Sequence, residues 1–293
     1  DIALALIDGA LNYEDSPGLL DVMYKCNTCG GCDAMCKRVQ DMEPLRVMLE
    51  IRAKLVQDGQ LLAAHIPVIE GLKKEDNMMM KPKAERGKWA EGLDVKNITE
   101  EKAEVYYHAG CRYCYDEELW AAAWRAVTTL KKAGVDVGIA GSDETCCGGR
   151  AYDLGYLGEL TKYAENNVEM LKTAGVKTVV TSCSDCYHTF KVLYDKIGVR
   201  GNLKVLHITE YLDLLIQEGR LTPKKEVAAT VTYHDPCHLG RLGEPWIHWE
   251  GAIKIVPNMR VQHEPKKVFR RGTYGVYEPP RNVLKSIPGL RLV

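Results

Sequence analysis

Glu104-Val-Tyr-Tyr-His-Ala-Gly-Cys111 is a short apolar run that ends in a tight Gly-Cys step, and its reading decides the fold. A run of this length closed by a turn residue predicts a buried strand. Similar runs return as Val135-Asp-Val-Gly-Ile139, Lys177-Thr-Val-Val-Thr181 and Lys204-Val-Leu-His-Ile208, with helical periodicity near Asp116 to Ala133 and over Leu157 to Thr173. That alternation predicts an α/β fold, a parallel sheet with helical crossovers. Cys111 follows the first strand, Cys146 and Cys147 the second, and Cys183 and Cys186 the third. Open parallel sheets bind ligands at the carboxyl edge of their strands, so one edge is expected to gather all five sulfurs.

The adjacent thiols of Cys146 and Cys147 point apart yet stay close. Both can serve one multi-iron body but can hardly share one tetrahedral ion, and the chain reads as a redox protein. Its 293 residues, 46% apolar and 27% charged, describe a soluble globular protein with room for two domains. With 39 basic against 40 acidic side chains and no basic run, nothing points to nucleic acid. The longest apolar stretch, Leu61 to Ile69, is too short to span a bilayer and is broken by His65 and Pro67. The opening residues, Asp1 to Asp8, lack the basic flank and cleavage site of a secretory signal and read as a helix entered midway. Eleven cysteines is an odd number at metal-like spacing, which argues against a disulfide framework and for a reducing, cytoplasmic setting.

Working outward to the amino terminus, residues 1–72 show only helical spacing: Leu19, Leu20, Val22 and Met23, then Leu45, Met48, Leu49, Ile51 and Leu55. Within them Cys26, Cys29, Cys32 and Cys36 give Cys-x2-Cys-x2-Cys-x3-Cys, the spacing of a loop wrapped around a cubane [4Fe-4S] cluster. Gly30 and Gly31 let the backbone bend closely around it. Zinc is the competing reading, but it wants two well-separated Cys-x-x-Cys pairs. Lys37 stands where a proline usually ends such a run, and no second run is present to exchange a fourth ligand. Either all four thiols close on one cluster, or an upstream half supplies the partner; the helix entered midway favours the latter. Residues 73–103 lack periodicity and read as a linker lying over the surface, with Met78, Met79 and Met80 as adaptable packing beneath it.

The words Gly110-Cys111, Asp143-Glu-Thr-Cys-Cys-Gly-Gly149, Val179-Val-Thr-Ser-Cys-Ser-Asp-Cys186 and Tyr233-His-Asp-Pro-Cys-His-Leu-Gly-Arg241 together resemble the cysteine-rich CCG domain of heterodisulfide reductase catalytic subunits. With the ferredoxin-like segment in front, the likeness is to the fused form, in which both halves share one polypeptide. It implies a Rossmann-like CCG domain over 104–230 holding a noncubane [4Fe-4S] cluster on Cys111, Cys146, Cys147, Cys183 and Cys186. It also implies a disulfide cleaved between two such domains by successive one-electron steps. Cys114 is left over, either an alternative to Cys111 or a buried inert thiol.

Val105-Tyr-Tyr-His-Ala-Gly-Cys111 and Val231-Thr-Tyr-His-Asp-Pro-Cys237 correspond as strand ends of an internal duplication, so residues 231–293 read as the start of a second, incomplete CCG domain. A loop rich in Trp246, His248 and Trp249 follows, then a helix near Pro280 to Ile287 and a strand at Leu290-Arg-Leu-Val293. Cys237 is then an orphaned cluster ligand. His234 and His238 are candidates for delivering the protons that disulfide cleavage consumes, or are histidines bonded within a turn; His108 reads as packing at a strand end.

The expected function is a cytoplasmic iron-sulfur subunit of an anaerobic oxidoreductase complex, passing electrons from the cubane to the noncubane site to reduce a small disulfide. The alternative is a pure electron relay without substrate chemistry, in a complex of the benzoyl-coenzyme A reductase, sulfite-reduction-linked or lactate/glycolate-oxidising kind. Partner subunits bearing flavin or iron-sulfur groups are expected in either case. This chain itself has no complete flavin or nicotinamide fingerprint, because Gly138-Ile-Ala-Gly141 lacks the third glycine and the distant acid.

Overall fold

A computed structural model describes residues 2–36, 42–256 and 260–293. Lys37 therefore lies outside the described residues. The centre is a five-stranded, wholly parallel sheet of β1 (Lys96–Asn97), β2 (Val105–His108), β3 (Val137–Ile139), β4 (Thr178–Thr181) and β5 (Lys204–His207), in the order β1-β3-β2-β4-β5. β2 is buried at every residue because it is flanked by strands on both edges and covered on both faces. Alternation decides which face each side chain serves. Val105 and Tyr107 join Val137, Val180 and Leu206 under the helices Glu117–Lys132 and Ile208–Gln217. Tyr106 and Val179 join the opposite core, built on the helix Leu157–Thr173 and on Tyr187, Phe190 and Tyr194. The α/β expectation holds, with helices on both faces of the sheet.

Among the described residues 2–71 there is no strand, as the spacing predicts. The helix Pro44–Gln57 turns Ile51 and Leu55 against Leu19 and Met23, forming a small third core. Its carbonyl at Arg52 meets Gly155, which has φ +96°. A Cβ there would collide with that carbonyl, so only glycine fits. Gly155→Ala should lower the denaturant midpoint by the equivalent of about 2 kcal/mol or more, combining positive-φ strain with a backbone clash; an unchanged midpoint would contradict this packing.

The stretch 73–103 does not lie over the surface throughout. It carries β1 onto the sheet edge, and it buries Asn77, Arg86, Trp89 and Ile98. Met78 and Met79 pack on the core, whereas Met80 is exposed. Its order comes from single 3₁₀ turns at Lys83–Glu85 and Lys88–Ala90, which leave no repeating apolar pattern to read.

The strand expected at Val231 to His234 is shorter and earlier, β6 (Ala229–Val231), and it does not join the main sheet. It pairs in parallel with a carboxyl-terminal strand (Leu290–Leu292), after the helix Glu278–Lys285 packs on Ile208–Gln217 with Asn282 donating to Asp213. The intervening loop also holds an unexpected antiparallel hairpin, β7 (Ala252–Val256) with β8 (Arg260–Glu264). The carboxyl-terminal strand is β9.

Candidate iron-sulfur sites

Each group of cysteines after β2, β3 and β4 enters a short helix: Gly110–Tyr115, Gly149–Asp153 and Ser184–His188. Gly110 and Gly148 turn the chain with φ of +80° and +83°. Backbone amides are thereby turned towards sulfur, and Gly148 N donates to Cys146 Sγ at 3.4 Å. Amides at a helix start favour thiolate over thiol. The five sulfurs adjoin in the sequence Cys111, Cys146, Cys147, Cys186, Cys183. Cys111 accepts from Cys146, with Arg86 adding its charge, and is held down to about 7. Cys147 accepts from Cys146 and Cys186 and lies well below the usual thiol range, while those two donors are raised.

Among the described residues no three His, Cys, Asp or Glu side chains converge on a point for a single ion. The sulfurs form a row instead. A donor set made only of thiols suits soft, thiophilic metal chemistry, and a row suits a body with several iron atoms. Two further details fit such a group. His108 is fully buried and its Nε2 has no hydrogen-bond partner. A Cβ built on Gly110 would lie 2.8 Å from Cys186 Sγ and 3.7 Å from that nitrogen, so the glycine keeps the backbone clear between them.

Behind Cys111 stands a buried charge network that the sequence pattern does not single out. Glu144 Oε1 accepts from Arg86 Nη2 at 2.9 Å, from Gly110 N at 2.9 Å and from the Cys114 thiol at 3.4 Å. Its Oε2 accepts from Ala109 N at 2.9 Å and Tyr106 Oη at 3.2 Å. Burial opposes charge at Glu144, yet His108, Arg86 and these donors hold it below the usual carboxylate range. Cys114 faces this carboxylate, and burial pushes its thiol up. Glu144 lies inside the word Asp143-Glu-Thr-Cys-Cys, which is the one signal that could have found it; Arg86 carries no local signal.

In the amino-terminal loop, Thr28 (φ 54°) and Gly30 (φ +71°) bend the chain in the left-handed region, and Thr28 N donates to Cys26 Sγ at 3.4 Å. Gly31 admits Cys29 Sγ, which would lie 3.5 Å from a Cβ there. Cys32 is exposed, and Cys26, Cys29 and Cys36 are half-buried.

Cys237 begins a loop that touches both regions. Arg241 Nε donates to Cys29 O at 3.1 Å, and Leu242 packs so closely on Gly30 that a Cβ there would clash. Cys237 Sγ lies 3.3 Å from His238 Nδ1, which is 3.2 Å from Asp185 Oδ1, between Cys183 and Cys186 in sequence. His238 is buried against His188, and burial opposes its protonation, but Cys237, Asp185 and Asp153 carry its pKa upward. His234 is exposed and is not brought into this cluster.

Residues 105–191 match the family model of the cysteine-rich CCG domain, so this part of the chain is a CCG domain. The chain belongs with the CCG proteins that resemble the catalytic subunits of heterodisulfide reductase. It is 30% identical to one such protein of Methanosarcina mazei, from the dihydromethanophenazine:CoB-CoM heterodisulfide reductase, over 93% of this chain and 59% of that protein. It is 29% identical to the EtfAB:quinone oxidoreductase of Syntrophomonas wolfei, over 92% of this chain and 34% of that protein. It is 28% identical to a Bacillus subtilis protein named as a probable iron-sulfur-binding oxidoreductase, over 97% and 37%. The chain thus spans about three fifths of the length of the heterodisulfide reductase relatives. No solved structure matches.

Proposed function

We propose that the chain is an iron-sulfur oxidoreductase component of a larger redox complex, working in the cytoplasm. In this reading residues 1–72 carry a cubane [4Fe-4S] cluster on Cys26, Cys29, Cys32 and Cys36. Residues 104–230 carry a noncubane [4Fe-4S] cluster on Cys111, Cys146, Cys147, Cys183 and Cys186. Residues 231–293 open a second CCG domain whose first ligand is Cys237. Electrons would pass from the first site to the second, where a small disulfide is reduced. When bound, such groups supply one-electron transfer and an iron that accepts thiolate sulfur.

The chain's own residues hold the sulfurs in a row, exclude water around Cys146 and Cys147, and set His238 between Cys237 and Asp185, where it can hold a proton. The observation that carries the reading is the row of five adjoining sulfurs on one sheet edge, with the loop Cys237–Gly243 touching both that edge and the Cys26–Cys32 loop. The absence of a helix long and apolar enough to cross a membrane, among the described residues, is compatible with any membrane contact being made by a partner.

The relative named as a quinone oxidoreductase favours a second reading, a relay that does no chemistry on a substrate. Anaerobic reconstitution with iron and sulfide analysis should give about eight iron atoms per chain, two four-iron groups. Titration with thiol-disulfide substrates should then alter the paramagnetic signal of the second site. Iron-free protein would end the proposal; an unaltered signal with both sites filled would favour the relay.

A further inference from the structure

Arg86 is the most deeply buried cation of the described residues, with no exposed surface. Its Nη1 and Nη2 each lie 3.7 Å from Cys111 Sγ. Nη2 also donates to Glu144 Oε1 and to Thr145 O at 3.1 Å, and Nη1 to Asp76 O at 3.3 Å. Thr145 immediately precedes the cysteine pair, and Cys146 N donates to Asp76 O as well. The guanidinium therefore ties Cys111 to the chain leading into Cys146.

Neutralising Glu144 does not require this arrangement, since that carboxylate already takes two amides, a phenol and a thiol. What the arrangement adds is a fork of two N–H groups and a fixed positive charge directed at one sulfur. Arginine suits such a role because it keeps its charge when buried. Hydrogen bonds and charge near ligand sulfurs are among the levers that set cluster potentials.

We infer that Arg86 is a positioning residue that orients the Cys111 thiolate and raises the reduction potential of the iron-sulfur group bound there. The inference rests on the reading that Cys111 holds such a group. An added electron makes the site more negative, so a fixed cation beside a ligand sulfur stabilises the reduced form more than the oxidised one. Removing the cation lowers the potential.

The test is a potentiometric titration, followed by electron paramagnetic resonance, of the anaerobically reconstituted full chain. Arg86→Gln should cut the reduced-to-oxidised ratio at a fixed potential at least tenfold, a downward shift of about 59 mV for one electron. Arg86→Lys, which keeps the charge but not the fork, should recover part of it. Glu144→Gln removes the opposing charge while leaving Arg86 in place and should move the potential upward; it decides the matter if Arg86→Gln does not fold. Wild-type protein with a signal at this site, and unshifted potentials in the variants that fold, would overturn the inference alone. Wild-type protein whose iron content and signal are unaffected by Cys111→Ser would overturn the underlying reading and the inference with it.

Discussion

Cys147→Ser should empty the paired-cysteine site while the Cys26 loop stays filled, so that iron falls from about eight to about four atoms per chain. Cys147 is the middle of the row, accepting from Cys146 on one side and Cys186 on the other. It is buried, with Tyr194 Oη donating to its carbonyl at 2.8 Å, so no neighbouring thiol can swing in to replace it without moving the core. A serine hydroxyl keeps the shape but is a hard oxygen that stays protonated, a poor ligand for iron in a sulfur-rich group. Cys114→Ser is the contrasting substitution. That thiol donates to Glu144 outside the row, and a hydroxyl can make the same bond. It should leave iron content unchanged. Iron and acid-labile sulfide assays on both reconstituted variants check the pair. Retention of full iron in Cys147→Ser, or loss of half in Cys114→Ser, would mean that the row does not hold the group.

The parts of this architecture that sequence discloses are those set by local pattern. The Leu157–Thr173 helix is legible to the residue because Gly155 precedes it and Gly175 closes it, both in left-handed backbone. β2 is legible because a central strand covered on both faces must be apolar throughout. Placement of β6 is different: Ala229 to Val231 carries no mark saying whether it extends the first sheet or pairs with Leu290–Leu292, since that depends on chain crossing rather than periodicity. The β7–β8 hairpin does alternate at Ile253 and Ile255, but tryptophan and histidine on its flank draw the eye to a loop. At the site, the cysteines declare themselves by spacing, whereas Arg86 and Glu144 are 58 positions apart and pair only once the 3₁₀ turns have folded. Buried polar partners of this kind have no sequence period, because each is fixed by long-range hydrogen bonding.

Arg52→Met should detach the first cysteine loop from the sheet more than it disturbs either half. Arg52 is 3% exposed, on the helix Pro44–Gln57. Its Nη2 donates to Met23 O at 3.0 Å and to Cys26 O, and its Nη1 donates to Asp153 O at 2.8 Å. One guanidinium thus joins the loop that starts at Cys26 to the end of the helix that follows Cys147. Tyr24 reinforces the seam, its ring 4.8 Å from the guanidinium and its hydroxyl donating to Leu154 O at 2.9 Å. Methionine fills similar space but leaves three carbonyls without this donor, and each buried orphan costs about 1–3 kcal/mol. A loss of roughly 3 kcal/mol or more is expected in denaturant unfolding, the carbonyl of Cys26 being partly reachable by water. Arg52→Lys, with a point charge in place of a fork, should recover only part of it. The functional consequence follows from position rather than chemistry, because electron transfer between two held groups depends on their separation. With both sites loaded, rapid-mixing reduction should show the first group filling normally and the second lagging in Arg52→Met. Equal rates at both sites, with stability intact, would show that the seam is held by the apolar contacts alone.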